Sequence, residues 1–118
     1  MSALSPLPPG PGDALLIVDV QRDFLPGGSL AVPFGDQVIE PMNAWIGRLA
    51  AQSLPVFASR DWHPPDHCSF QPQGGVWPPH CVADTPGAAN AGFPGRATLD
   101  VLIVDDEPLA RLRLRGLV

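Results

Sequence analysis

No lysine occurs among the 118 residues: all seven basic side chains are arginine. A lysine ammonium is therefore excluded as a catalytic group anywhere in the chain. Acids outnumber bases, leaving a net charge of -5, which argues against a nucleic-acid groove because such grooves need a basic surface. Cysteine is scarce. Cys68 and Cys81 are the two thiols, both lie near histidines in the sequence, and no disulfide framework is suggested. No apolar run approaches the roughly 20 residues needed to cross a bilayer. The first twelve residues have neither a basic n-region nor an apolar h-region, so they do not read as a signal peptide. The expectation is a cytoplasmic chain without membrane or nucleic-acid partners.

Proline and glycine are plentiful instead, 16 and 12 residues respectively, within a chain that is 45% hydrophobic. That combination implies long irregular stretches inside a globular protein. Residues 1–12 read as a flexible arm, since their prolines remove amide donors and disfavour helix. Ala14 to Asp19 is a continuous apolar run ending in an acid, which suits a strand buried in a parallel sheet. Val38, Met42, Trp45 and Leu49 recur at spacings of one helical face, predicting a helix within Asp36–Gln52. Leu54 to Ser59 reads as a second strand, so the span forms a βαβ unit and the fold class is α/β. A third run, Leu99–Val104, has the same strand character. It is expected to pair beside Ala14–Asp19 in a short parallel sheet. Such a sheet, covered by one helix, leaves apolar faces open, so marginal stability or a homo-oligomer is expected.

Function in parallel sheets gathers at the carboxyl ends of the strands, where Asp19 and Asp61 fall. Asp61 and His63 stand two apart, and in extended chain such residues share a side. His67 and His80 follow in a long Pro/Gly-rich loop. Imidazole and carboxylate suit Zn²⁺, with Mn²⁺ and Fe²⁺ as alternatives, and three protein ligands describe a catalytic site. On spacing alone, surface histidines in a loop explain the pattern about equally well.

Several blocks occur in order: Asp19-Val20-Gln21-Arg22-Asp23-Phe24, Gly27-Gly28-Ser29-Leu30-Ala31-Val32, Arg60-Asp61-Trp62-His63-Pro64, His67-Cys68-Ser69-Phe70, Trp77-Pro78-Pro79-His80-Cys81-Val82 and Thr85-Pro86-Gly87-Ala88. Together they closely resemble nicotinamidases, members of the isochorismatase-like hydrolases, over roughly residues 13–89. The resemblance implies a partial three-layer, Rossmann-like isochorismatase fold. It implies that Asp61, His63 and His80 bind a divalent metal, with His67 as an auxiliary ligand. Asp19 would be the acid/base partner of a cysteine nucleophile, and Phe24 and Trp77 would line a pocket for a flat pyridine ring. Core packing is the plainer role for those two aromatics. The implied reaction is hydrolysis of nicotinamide to nicotinate and ammonia, a step of NAD salvage. Another isochorismatase-like amidase is the lesser reading.

The family pattern also calls for a lysine on a later strand and a nucleophilic cysteine later still. This chain has no lysine, and no cysteine follows Cys81. Cys81 reads as a small buried residue, whereas Cys68 could approach the metal. Residues 99–117 instead resemble the start of a response-regulator receiver domain, with Asp105-Asp106 placed as its Mg²⁺-binding acids and no phospho-acceptor strand after them. The expected organisation is thus an arm (1–12), the front of a nicotinamidase-like domain (13–89), a junction (90–98) and a receiver-like strand and helix start (99–118). Such a chain would be a fused or truncated product, inactive or a non-catalytic metal-binding protein.

Overall fold

The computed structural model describes residues 7–93 and the backbone of residues 99–103. The remaining receiver-like residues, 104–118, and residues 94–98 of the expected junction lie outside the described residues. Three parallel strands form the sheet: β1 (Leu15–Ile17), β2 (Val56–Arg60) and β3 (Leu99–Ile103). Their order is β1-β2-β3, with Leu15 opposite Val56 and Val56 opposite Leu99. The third run therefore pairs with β2, and the expectation that it lies beside Ala14–Asp19 is corrected. The burial of β2 explains its central place. Val56, Ala58 and Ser59 are all buried, so both faces are covered, as a middle parallel strand requires. β1 alternates differently: Ile17 is buried while Leu16 is 56% exposed, the mark of an outer strand.

Helix α1 spans Ile39–Ala51 and is preceded by a 3₁₀ turn at Gly35–Val38. Pro41 sits in the first turn, where its missing N–H removes no intrahelical bond. The apolar face is carried by Met42 and Leu49, which are buried, with Trp45 and Ile46 packed against the same core. Val38 lies before α1 and is exposed, so the expected stripe begins one residue later in the series. The helix ends when Ser53 turns left-handed at φ 55. Its neighbour Leu54 then donates its N–H to Leu49 O at 2.9 Å and Ser53 donates to Ala50 O at 3.1 Å. These bonds satisfy carbonyls the helix would otherwise leave open. The core joins Ile17 from β1 and Val20 just after it, Met42 and Leu49 from α1, and Val56 and Ala58 from β2.

Of the expected arm, Leu7, Pro8 and Pro9 line a groove with Trp45 and Leu49, and Asp13 closes a turn with Gly10. Residues 64–93 hold no regular strand or α-helix. They are held by short 3₁₀ turns and by isolated bridges that pair His63 with Val82, Phe70 with Trp77 and Gln21 with Asn90. No described helix is long and apolar enough to cross a membrane.

Candidate metal centre and cleft

β2 delivers Asp61 and His63 just past its carboxyl end. The loop then returns so that His63 N–H donates to Cys81 O at 2.9 Å and Ala83 N–H donates to His63 O at 2.7 Å. This pairing brings His80 alongside. One ligand atom from each of Asp61, His63 and His80 lies within 4.8 Å of the others. Asp61 Oδ2 and His63 Nε2 are 3.6 Å apart, and both imidazoles are buried. His80 Nδ1 lies 2.8 Å from Pro78 O. A carbonyl only accepts, so Nδ1 carries the proton and Nε2 of the neutral ring keeps its lone pair.

His67 behaves differently. It stacks on His63 with ring centroids 4.2 Å apart, and Ser69 N–H donates to its Nδ1 at 3.3 Å. Ser69 Oγ lies 2.7 Å from the same nitrogen, and His67 packs beside the group formed by Asp61, His63 and His80. Phe70, which has no exposed surface, meets the rings of His63, His67 and His80 edge-on or tilted. An aromatic edge here fixes ring orientation and excludes water.

Asp19 stands at the end of β1 with a left-handed backbone, φ 54. Its N–H donates to Ser59 Oγ at 3.1 Å, and the Ser59 hydroxyl donates to Asp19 Oδ1 at 2.7 Å. Burial pushes the Asp19 carboxyl up from its ordinary value and the nearby Asp61 charge adds to this, while the Ser59 bond and His63 oppose it. The folded chain therefore keeps this proton to higher pH than the unfolded chain does. Stability is lost as pH rises from the usual carboxylate range through the raised value. For the metal-free chain, urea unfolding between about pH 4 and 7 should show that decline, and Asp19→Asn should flatten it.

Asp19 and Phe24 both line an open cleft of about 310 Å³, otherwise walled by apolar residues including Val32, Phe34 and Val38. Trp77 is not among its lining residues and is 49% exposed. Its backbone instead bridges to the segment around Phe70, with Gln71 N–H donating to Trp77 O at 2.7 Å. Phe24 reaches His80, with ring centroids 5.8 Å apart.

The two thiols differ in setting. Cys68 is exposed and Cys81 buried. Burial, then the charges of Asp61, Asp23 and Asp19, push the Cys81 thiol up to about 12. Thiolate is the reactive form, so Cys81 is inert near neutrality. Alkylation of the folded chain at about pH 8 should label Cys68 alone, and denaturant should expose the second thiol. Rapid labelling of both in the folded chain would contradict this placement.

Residues that the sequence motifs contained without an assigned task also meet here. Gln21 is fully buried, and its side-chain amide bonds Asp61 N, Asp61 O and Ala88 O. Asp23 Oδ2 accepts the Cys81 N–H at 2.8 Å. Their place inside the same block as Asp19 was the available signal.

An α/β protein with a carboxylate–imidazole cluster at the carboxyl ends of its parallel strands is the class these features define. The Isochorismatase domain model matches residues 13–92, and the chain belongs to that family. It is 42% identical over 93 residues to a nicotinamidase of Escherichia coli, covering 66% of this chain and 44% of that protein. It is 47% identical over 78 residues to a nicotinamidase/pyrazinamidase of Mycobacterium tuberculosis, covering 64% and 41% respectively. Among solved structures, the pyrazinamidase of Pyrococcus horikoshii in complex with zinc superimposes with a TM-score of 0.76 at 40% identity. That match covers 90% of this chain and 65% of the other. The chain spans less than half the length of the curated relatives it matches. The isochorismatase-like fold is thus present in part.

Proposed function

We propose that this chain carries the metal-holding part of an amidohydrolase site of the nicotinamidase type. The substrate is nicotinamide and the products are nicotinate and ammonia, a step of NAD salvage. The observation that carries this reading is the convergence of Asp61, His63 and His80 within 4.8 Å beside a protonatable Asp19. One carboxylate and two imidazoles form a mixed donor set suited to Zn²⁺, with Mn²⁺ and Fe²⁺ as alternatives. Such an ion, when bound, supplies Lewis acidity and a fixed point for a ring nitrogen or water.

The chain's own residues supply the rest. Asp19, with its raised proton affinity, is placed to accept and return a proton, as a general acid/base must. Phe24 offers an aromatic wall to a flat ring in the cleft, and the half-exposed Trp77 is the second aromatic proposed for that ring. His67 supports His63 by stacking. The nucleophile is where support fails. No lysine is present to favour a thiolate, and Cys81 is held protonated. As these 118 residues stand, we propose a site that holds metal without turning over substrate. The competing reading is an active nicotinamidase-type enzyme, which the missing lysine disfavours. Self-association is a further expectation, supported by the exposed Leu16, Val18 and Phe34 around the outer strand. Ammonia release from nicotinamide by the metal-loaded chain is the assay that separates a working site from a silent one.

A further inference from the structure

We propose that Gln21 and Asp23 are positioning residues that hold the two metal-ligand segments in register with each other. The inference rests on the reading of Asp61, His63 and His80 as a metal site. Those ligands come from two separate stretches: Asp61 and His63 follow β2, and His80 lies in a loop without regular structure. Something other than a sheet or helix must fix the distance between them.

Gln21 grips the first stretch. Its Oε1 accepts the Asp61 N–H at 2.8 Å, and its Nε2 donates to Asp61 O at 2.9 Å and to Ala88 O at 2.8 Å. One buried amide thus engages both backbone polar groups of a ligand residue. Because a carbonyl oxygen cannot donate and an amide nitrogen cannot accept, the side chain has one orientation. Rotation of the Asp61 backbone would break two of these bonds together. The third bond ties the same amide to the turn at Pro86–Ala88, beyond His80.

Asp23 grips the second stretch. Its Oδ2 accepts the Cys81 N–H at 2.8 Å, while the Cys81 carbonyl accepts from His63 N–H. Cys81 is left-handed at φ 47, a conformation a non-glycine residue keeps only where its surroundings impose it. The bonds on either side of Cys81 impose it, and they set the direction in which the chain leaves His80. Gly87 completes the clamp: a Cβ there would overlap the Asp23 carboxylate, so only glycine leaves that carboxylate its place. Residues 21 and 23 lie two apart, on either side of the exposed Arg22, and so reach both segments from one short turn.

The test uses the full 118-residue chain with Co²⁺ as the probe, read by its visible d–d absorption and by equilibrium dialysis. Gln21→Leu and Asp23→Ala should each weaken Co²⁺ binding by about 10- to 100-fold, the usual cost of losing an outer-shell partner, and should alter the band shape. Asp23→Asn keeps an acceptor oxygen and should recover most of the affinity. A wild-type chain with no d–d band would overturn the metal reading itself. A wild-type band that Gln21→Leu and Asp23→Ala leave unchanged in shape and affinity would overturn the positioning role alone. Should far-UV circular dichroism show that Gln21→Leu does not fold, the Asp23→Ala and Asp23→Asn pair decides. Equal affinities in that pair overturn the proposal.

Discussion

Zn²⁺ should raise the thermal unfolding midpoint of the purified chain by about 10 °C or more once free metal exceeds Kd a hundredfold, and a chelator should reverse the shift. A ligand that binds only the folded state at that excess adds about 2.7 kcal/mol, and each kcal/mol moves the midpoint of a domain this small by about 4–8 °C. The effect should be large here because metal-free folding leaves the cluster poorly served. Asp61 and Asp19 both place carboxylates near the same spot, and the long loop between His63 and His80 is joined to the sheet by few backbone bonds. A bound cation would offset the first and cross-link the second. His80→Ala should abolish the shift, because it removes one of the three clustered ligand residues. His67→Ala should keep most of it, because His67 stacks beside that cluster. An equal shift in wild type and His80→Ala would show that Zn²⁺ binds elsewhere.

The parts of this site that could be read from sequence are those encoded locally. An apolar run ending in an acid announced β1, a second short run at Leu54–Ser59 announced β2, and the spacing of Met42, Trp45 and Leu49 announced α1. Asp61 and His63 were legible because two residues of extended chain place side chains on one side. What local pattern does not encode is which distant backbone a side chain will meet. Gln21 bonds residues 40 and 67 positions away, and Ser59 meets Asp19 across 40. Their chemistry as amide and hydroxyl gives no hint of such partners. Phe70 was quoted within a motif, yet its contact with three imidazoles depends on loop closure. The same limit misplaced β3. An apolar strand can pair on either side of a sheet, and its own residues do not say which neighbour will take it. That His67 stacks on His63 depends on how the loop closes, which ligand spacing does not foretell.

Zn²⁺-loaded chain incubated with nicotinamide should release no ammonia above a metal-only blank. Amide hydrolysis through a thioester needs a thiolate held near a proton carrier. Asp19 is the proposed proton carrier, hydrogen-bonded to Ser59 and with its carboxyl raised by burial. The buried thiol cannot supply it. Burial, with the charges of Asp61, Asp23 and Asp19 adding to it, holds the Cys81 thiol up to about 12, which leaves a negligible ionised fraction near neutrality. Cys68 is exposed to solvent, and the chain has no lysine to set beside it. Substrate binding and chemistry should therefore separate. Nicotinamide can still meet the Phe24 wall of the cleft, yet no covalent step follows. Clear turnover that disappears in Cys68→Ala and in Asp19→Ala would show that an exposed thiol has been recruited as nucleophile, and the silent-site reading would fall. Turnover that survives both variants but is lost in His80→Ala would point instead to direct attack by water at the metal centre, without a cysteine nucleophile.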